Sequence, residues 1–204
     1  MSVPVQMIHV HYQGKYLKLL DSDDQTTLYS IRVGRVSPQM EMVRIAKTPQ
    51  LGQLEAMVDS EPPVHKGPDS TMNGHTNSSS TCTAAFPILA LGVTMRVRGK
   101  EVRLERSSAL TRTYSFSSAG AETRLTWEAD GALSGDFRLV DLSRHCVLAR
   151  FRNKLFSNAE VGAFEVIGNV SELLREEILI SGLSVLVMVQ SINLATMVLF
   201  GVSS

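Results

Sequence analysis

Only two cysteines occur in 204 residues, Cys82 and Cys146, far apart and without C-x-x-C spacing. That excludes a disulfide framework and fits a reducing compartment. Net charge is absent as well, with 20 Lys and Arg against 20 Asp and Glu. No bulk field therefore draws the chain to nucleic acid or anionic lipid, and any such attraction must come from a local patch. No nucleic-acid partner is expected. The G-x-G-x-x-G, G-x-x-x-x-G-K-[ST] and H-E-x-x-H signatures are missing, and with them the usual sequence grounds for dinucleotide, nucleoside triphosphate or zinc-hydrolase chemistry. The opening MSVPVQMIHVHYQG has no basic region followed by an uninterrupted apolar run. No secretory signal peptide is expected, and the sequons at Asn77 and Asn169 are expected to go unused. Finally, no charged residue occurs from Ile178 to Ser204.

What is present is mostly alternation. In VTMRVR, Val93, Met95 and Val97 point one way and Thr94, Arg96 and Arg98 the other. In EVRLER, Val102 and Leu104 oppose Glu101, Arg103 and Glu105. Gly99-Lys100 between them suits a two-residue type II′ turn, so the pair reads as a hairpin with one buried and one charged face. HCVLARFR repeats the pattern, with Arg150 and Arg152 outward. QMIHVHY, KYLKLL, TTLYSIRV, MEMVRIA, TCTAAFPIL, TYSFSS, TRLTWEA, DFRLVD and VGAFEVI are further strand candidates. Many short strands between turn signals such as DSDD, ADGA and SGD imply a sandwich or a barrel. Residues 59–81, rich in Pro, Ser, Gly, Asn and Asp, read as a flexible loop within one domain spanning 1–204.

The last element starts near Asn169. Asn169 and Glu172 have capping-box spacing, Ser171 is an alternative cap, and SELLREE gives an acidic first turn. A helix apolar all round must be buried, in lipid or in protein. Ile178 to Val202 exceeds the about 20 residues a span needs, which makes a tail anchor the alternative reading. Gln190, Ser191 and Asn193 in the middle of that stretch argue against it. No interfacial Trp or Tyr and no basic cluster at the far end supports it either. A helix enclosed by a barrel would be apolar all round without meeting lipid, and Ser181, Gly182 and Ser184 would let strands approach closely.

Five segments follow in a characteristic order: TTLYSIRVGRVSPQMEMVRI, TYSF, RLTWEADGALSGDFRLVD, VLARFRNKLFSNAEVGAFEVIG and SELLREEILISGLSVLV. In this order and spacing the chain, over roughly residues 8 to 190, resembles the tubby C-terminal-like group, which includes phospholipid scramblases and LURP-one-related proteins. Tubby-like proteins of fungi are similar in the Trp strand, the Leu-Val-Asp strand, the Ala-Arg-Phe strand and the final helix. The resemblance implies a mainly β fold, a closed antiparallel barrel of about twelve strands around a hydrophobic C-terminal helix. Such proteins usually turn charged after that helix, whereas residues 191–204 here remain an apolar extension.

Candidate chemistry is sparse. His9 and His11 share a strand face at metal-like spacing, but no Cys, Asp or third His stands nearby in sequence, so they read as half-buried strand histidines. Asp141, His145 and Cys146 are sequence neighbours, which rarely form a triad, and Cys146 reads as a structural cysteine. GALSG places Ser134 one position late for a nucleophile elbow. DSDDQTT fails as a calcium loop at its sixth and twelfth places, Thr26 and Arg32. No enzyme, metal or cofactor is expected. The remaining candidate is the basic hairpin: Arg96, Arg98, Lys100 and Arg103, extended by Arg150 and Arg152 if their strands adjoin it. Guanidinium groups bind phosphate bidentately. Tubby-domain proteins bind phosphoinositides through basic barrel residues, and the resemblance therefore implies a phosphoinositide or anionic-membrane ligand, or an acidic protein partner. The expected product is a non-catalytic, cytoplasmic scaffold peripheral to the plasma membrane; the alternative is a membrane-anchored protein, tail-anchored or phospholipid scramblase-like, that uses the apolar C-terminal segment.

Overall fold

The computed structural model of the chain describes residues 3–34, 36–45, 82–87, 92–107, 111–131, 135–154 and 157–189. The expected loop 59–81, Ser134 and the extension 191–204 lie outside them. Twelve strands form in chain order: β1 (Val5–Gln13), β2 (Tyr16–Leu20), β3 (Thr27–Val33), β4 (Met40–Arg44), β5 (Cys82–Ala85) and β6 (Gly92–Val97), then β7 (Lys100–Arg106), β8 (Thr113–Ser118), β9 (Thr123–Ala129), β10 (Phe137–Asp141), β11 (Cys146–Asn153) and β12 (Glu160–Ile167). One helix, α1 (Glu172–Val189), follows. Every neighbouring pair is antiparallel, and β1 pairs with β12 from Val5↔Ile167 to His11↔Glu160, so the sheet closes into a barrel with no free edge.

The period-two alternation sets what faces inward. Ile8 and Val10, Leu17 and Leu19, Met40 and Met42, Leu125 and Trp127, and Phe164 and Val166 are all buried. They do not fill the lumen alone, because α1 runs through it. From Glu176 to Leu186 the helix is buried without interruption, on every face. The opening segment of the apolar run is therefore sheathed by the protein's own strands rather than by lipid. Among the described residues no helix is long and apolar enough to cross a membrane. The tail-anchor reading is corrected accordingly for Ile178 to Leu186.

Close approach of helix and sheet explains the small residues. A Cβ on Gly182 would come within 2.5 Å of Phe164 Cε1 and 3.0 Å of Trp127 Cζ2. Trp127 Nε1 donates to Ser181 Oγ at 2.9 Å, and Ser181 Oγ donates to the Ile178 carbonyl, so the buried indole and hydroxyl satisfy each other. Phe164 packs edge-on to Trp127 with centroids 6.4 Å apart, and Phe151 lies 4.8 Å from Phe164. The helix cap is Ser171, whose Oγ accepts from Leu174 N at 3.2 Å. Of the two expected caps, the later one is used.

Candidate functional site

The hairpin of β6 and β7 forms as expected, but its turn lies one residue earlier. Val97 pairs with Lys100, leaving Arg98-Gly99 as the loop, with φ of 48° and 82°. Two positive φ values define a type I′ turn, whose twist suits a tight hairpin, in place of type II′. This shift redistributes the basic residues. Arg96 and Arg103 stay on the outer face, each exposed, in register with Glu101 and Thr94 respectively. They are diagonal neighbours, about 7–8 Å apart by strand geometry. Lys100 has the parity of buried Val102 and is exposed only because it stands at the barrel's end.

Arg98 points elsewhere. Its Nε donates to Glu176 Oε2 at 2.7 Å and its Nη2 to Glu176 Oε1 at 3.0 Å, with a longer contact from Nη2 to Glu172 at 3.4 Å. Glu176 is fully buried. Hydrogen bonding to it holds the Arg98 guanidinium charged well above the ordinary range. Arg44, at the end of β4, grips Glu172 with two bonds of 2.7 and 2.6 Å. These bonds depress the Glu172 carboxyl below its usual value. The third helix carboxylate, Glu177, is buried against the β8–β9 turn. It accepts from Ser118 Oγ at 2.5 Å, Ala119 N at 2.9 Å and Gly120 N at 3.1 Å. A Cβ on Gly120 would lie 2.7 Å from Leu174 N, so that turn must be glycine to seat the helix. The acidic first turns of α1 are thus a plug latched to three separate parts of the barrel rim.

Arg150 and Arg152 do not extend the hairpin. β11 lies between β10 and β12, with β8, β9 and β10 intervening before β7. Arg152 Nη1 contacts Asp130 at 3.0 Å and Asp136 at 3.5 Å, and its Nε lies 3.6 Å from Glu165. Arg150 lies 3.9 Å from Glu165. The six candidate residues therefore separate into an outward pair, a rim lysine, a helix latch and a neutralised patch. A residue the sequence reading passed over joins the first group. Arg124 on β9 is exposed, and among the described residues Arg96, Arg103 and Arg124 make no ion pair. Its outward parity beside buried Leu125 was the available signal.

The other residues singled out in the sequence occupy distinct places. The buried Cys82 thiol is pushed up to about 12, chiefly by burial, which leaves it a poor nucleophile. Asp141 ends β10, and its Oδ1 accepts from Ser143 N, Ser143 Oγ and Arg144 N, which close the turn before β11. It orients neither His145 nor Cys146. Asp21 to Thr26 form a closed turn, with Asp21 N donating to the Thr26 carbonyl at 2.8 Å. His9 and His11 are half-buried on the outer face of β1.

No protein-family model matches the chain, and no curated protein matches it by sequence. A solved structure does match. The X-ray structure of a protein from Arabidopsis thaliana, AT5G01750, aligns over 90% of this chain and 93% of that chain, with a TM-score of 0.53 at 7% sequence identity. The barrel is thus similar in fold to that structure. At that identity the likeness concerns the fold alone.

Proposed function

We propose that this chain is a non-catalytic, tubby-like binding module that docks on phosphoinositide headgroups through the outer face of β6 and β7. The observation that carries the reading is the state of Arg96 and Arg103. Arg32, Arg44, Arg98, Arg138, Arg150 and Arg152 all pair with carboxylates of the barrel strands, their loops or α1, whereas this diagonal pair is exposed and, among the described residues, makes no ion pair. Two guanidinium forks on neighbouring diagonal positions suit a ligand carrying more than one phosphate. Lys100 at the rim and Arg124 on β9 add positive charge at the same end of the barrel, while Glu101 and Glu105 limit it. The binding is therefore selective for dense phosphate charge rather than for anionic lipid in general. Such a module acts as a scaffold, cytoplasmic and peripheral to the plasma membrane.

The test is vesicle flotation of the full chain with phosphatidylcholine alone and with added phosphoinositide. Retention is expected only with phosphoinositide, to weaken as salt rises, and to disappear in Arg96→Ala/Arg103→Ala. Retention unaffected by that double substitution would overturn the lipid reading. Absence of vesicle binding together with salt-sensitive capture of an acidic protein would instead favour a protein partner.

A further inference from the structure

A different cluster, on the opposite side of the barrel, has metal-ligand character. His9 and His11 stand at i and i+2 on the outer face of β1, flanked by buried Ile8 and Val10. Their sequence neighbourhood supplies no third ligand, but the fold supplies two carboxylates. Asp24 arrives from the β2–β3 loop, its Oδ1 2.8 Å from His11 Nε2. Glu160 arrives from β12, its Oε1 3.2 Å from His9 Nδ1. One ligand atom each from His9, His11 and Asp24 lies within 4.8 Å of the others.

Both carboxylates are held in place. The β2–β3 loop is stitched to β1 by Gln6 Nε2 donating to Asp21 at 3.0 Å and Ser22 Oγ donating to the Met7 carbonyl at 3.0 Å. Asp24 itself sits at φ 54°, with its N–H donating to the Asp21 carbonyl at 2.8 Å. On the other side, the pairing of β1 with β12 slips between Val10 and His11, from Val10↔Gly162 to His11↔Glu160. The extra residue is a bulge, a device that re-aims a side chain. It brings Glu160 beside the two imidazoles, where Lys154 pairs with its second oxygen.

We propose that His9, His11 and Asp24 bind a divalent transition-metal ion of the zinc class, with Glu160 orienting His9. A carboxylate on Nδ1 of a ligating histidine fixes the tautomer and leaves Nε2 free for the ion, a recurrent arrangement around protein-bound metals. Two imidazoles and one carboxylate suit zinc or its neighbours better than calcium or magnesium, which take mostly oxygen. Bonds near 2.0–2.1 Å put tetrahedral ligands roughly 3.4 Å apart. The His11–Asp24 separation of 2.8 Å would therefore open slightly and separations of up to 4.8 Å would close, adjustments the partly exposed side chains of His11 and Asp24 can make by rotation. Three protein ligands on a solvent-facing surface leave a fourth position for water or an external donor. Lys18, in register with His11 on β2, and Lys154 are the cations beside the site.

The experiment is a Zn2+ titration of the full, tag-free chain against a chromophoric chelator. One equivalent is expected to bind at micromolar concentration. Affinity should fall by about tenfold or more in His11→Ala and in Asp24→Asn, with unchanged circular dichroism and with Cys146→Ser behaving as native. Glu160→Gln should weaken binding, alter the visible spectrum of the Co2+ form, and shift His9 away from its Nδ1–H tautomer in long-range 1H–15N spectra. No saturable binding at micromolar Zn2+ would overturn the site. So would stoichiometric binding that survives both His11→Ala and Asp24→Asn, since the ion would then sit elsewhere. An unchanged tautomer and Co2+ spectrum in Glu160→Gln would remove Glu160 from the proposal.

Discussion

Replacing Arg98 by Met keeps most of the side-chain stem but removes the charge that faces Glu176. Among the described residues, Arg98 is the one side chain hydrogen-bonded to Glu176, and Glu176 is fully buried. Removing one member of a buried ion pair costs about 3–5 kcal/mol, because the other charge is left unsatisfied. Arg98 is 42% exposed, so water already screens part of the pair and the cost falls to about 2–3 kcal/mol. The helix dipole offers little relief. Glu176 lies beyond the first turn, where the free N–H groups are found. For a chain of this size the loss lowers Tm by roughly 5–10 °C. Glu176→Gln removes the opposite charge while keeping the shape, at about 1–2 kcal/mol.

The combined variant separates pairing from packing. If the pair matters as a pair, Arg98→Met/Glu176→Gln loses only about 2 kcal/mol, less than the sum of the single losses, giving a coupling of about 2 kcal/mol. Urea unfolding followed by Trp127 fluorescence measures all four proteins. Single losses that add to within about 0.5 kcal/mol would refute the latch. So would a stable Arg98→Met that had lost phosphoinositide retention, since the guanidinium would then be acting outward.

Other expectations follow from the same contacts. Arg96→Ala/Arg103→Ala changes stability by less than about 0.5 kcal/mol, because both side chains are exposed and unpaired; a larger loss in urea would show they hold the fold. Gly182→Ala forces a methyl to 2.5 Å from Phe164 and costs about 1–3 kcal/mol by overpacking; an unchanged Tm would mean the helix shifts freely in the barrel. The Ser143 hydroxyl depresses the Asp141 carboxyl below its usual range. Its contribution is therefore complete above about pH 4 and lost as pH falls through the lower folded value. Urea midpoints below pH 4 should accordingly depend less on pH in Asp141→Asn, and an identical acid limb would count against the turn. Glu177→Leu removes the acceptor for Ser118, Ala119 and Gly120 and is expected to weaken near-ultraviolet dichroism from Trp127, while far-ultraviolet dichroism persists; an unaltered near-ultraviolet spectrum would refute a positioning role.

The strands were legible because alternation is a local signal, and VTMRVR or TRLTWEA carries it without reference to the rest of the chain. The enclosed helix was legible because Ile178 to Leu186 offers no polar face. Arg98 was misplaced for a definable reason. A single glycine serves equally as the first residue of a type II′ loop or the second of a type I′ loop, and the choice moves its neighbour from strand to turn. Asparagine is the less strained residue for the first type I′ position, so an arginine there makes sense only once Glu176 is seen opposite it. The fate of Arg150 and Arg152 depended on Asp130, Asp136 and Glu165 and on barrel order, none of which periodicity reports. The His9–Glu160 contact spans 151 residues across the β1–β12 closure, and a bulge sets its register.

Hydrophobic enclosure alone does not explain where α1 stops along the barrel. Apolar burial is non-directional, and a helix with no polar face loses little by turning or sliding. A slip of one residue moves it by 1.5 Å and about 100°. That slip would carry Glu177 away from the Ser118–Gly120 turn, Glu176 away from Arg98, and Ser181 away from the Trp127 indole. It would also present a side chain, in place of Gly182, to Phe164. Each mismatch strands a buried polar group or creates a clash, so competing registers are penalised together. The polar contacts at the rim and the glycine within the lumen thus specify one register for a helix that grease would hold in several. The same rim carries Arg96 two residues before the Arg98 latch, so the docking face inherits its position from the seated helix.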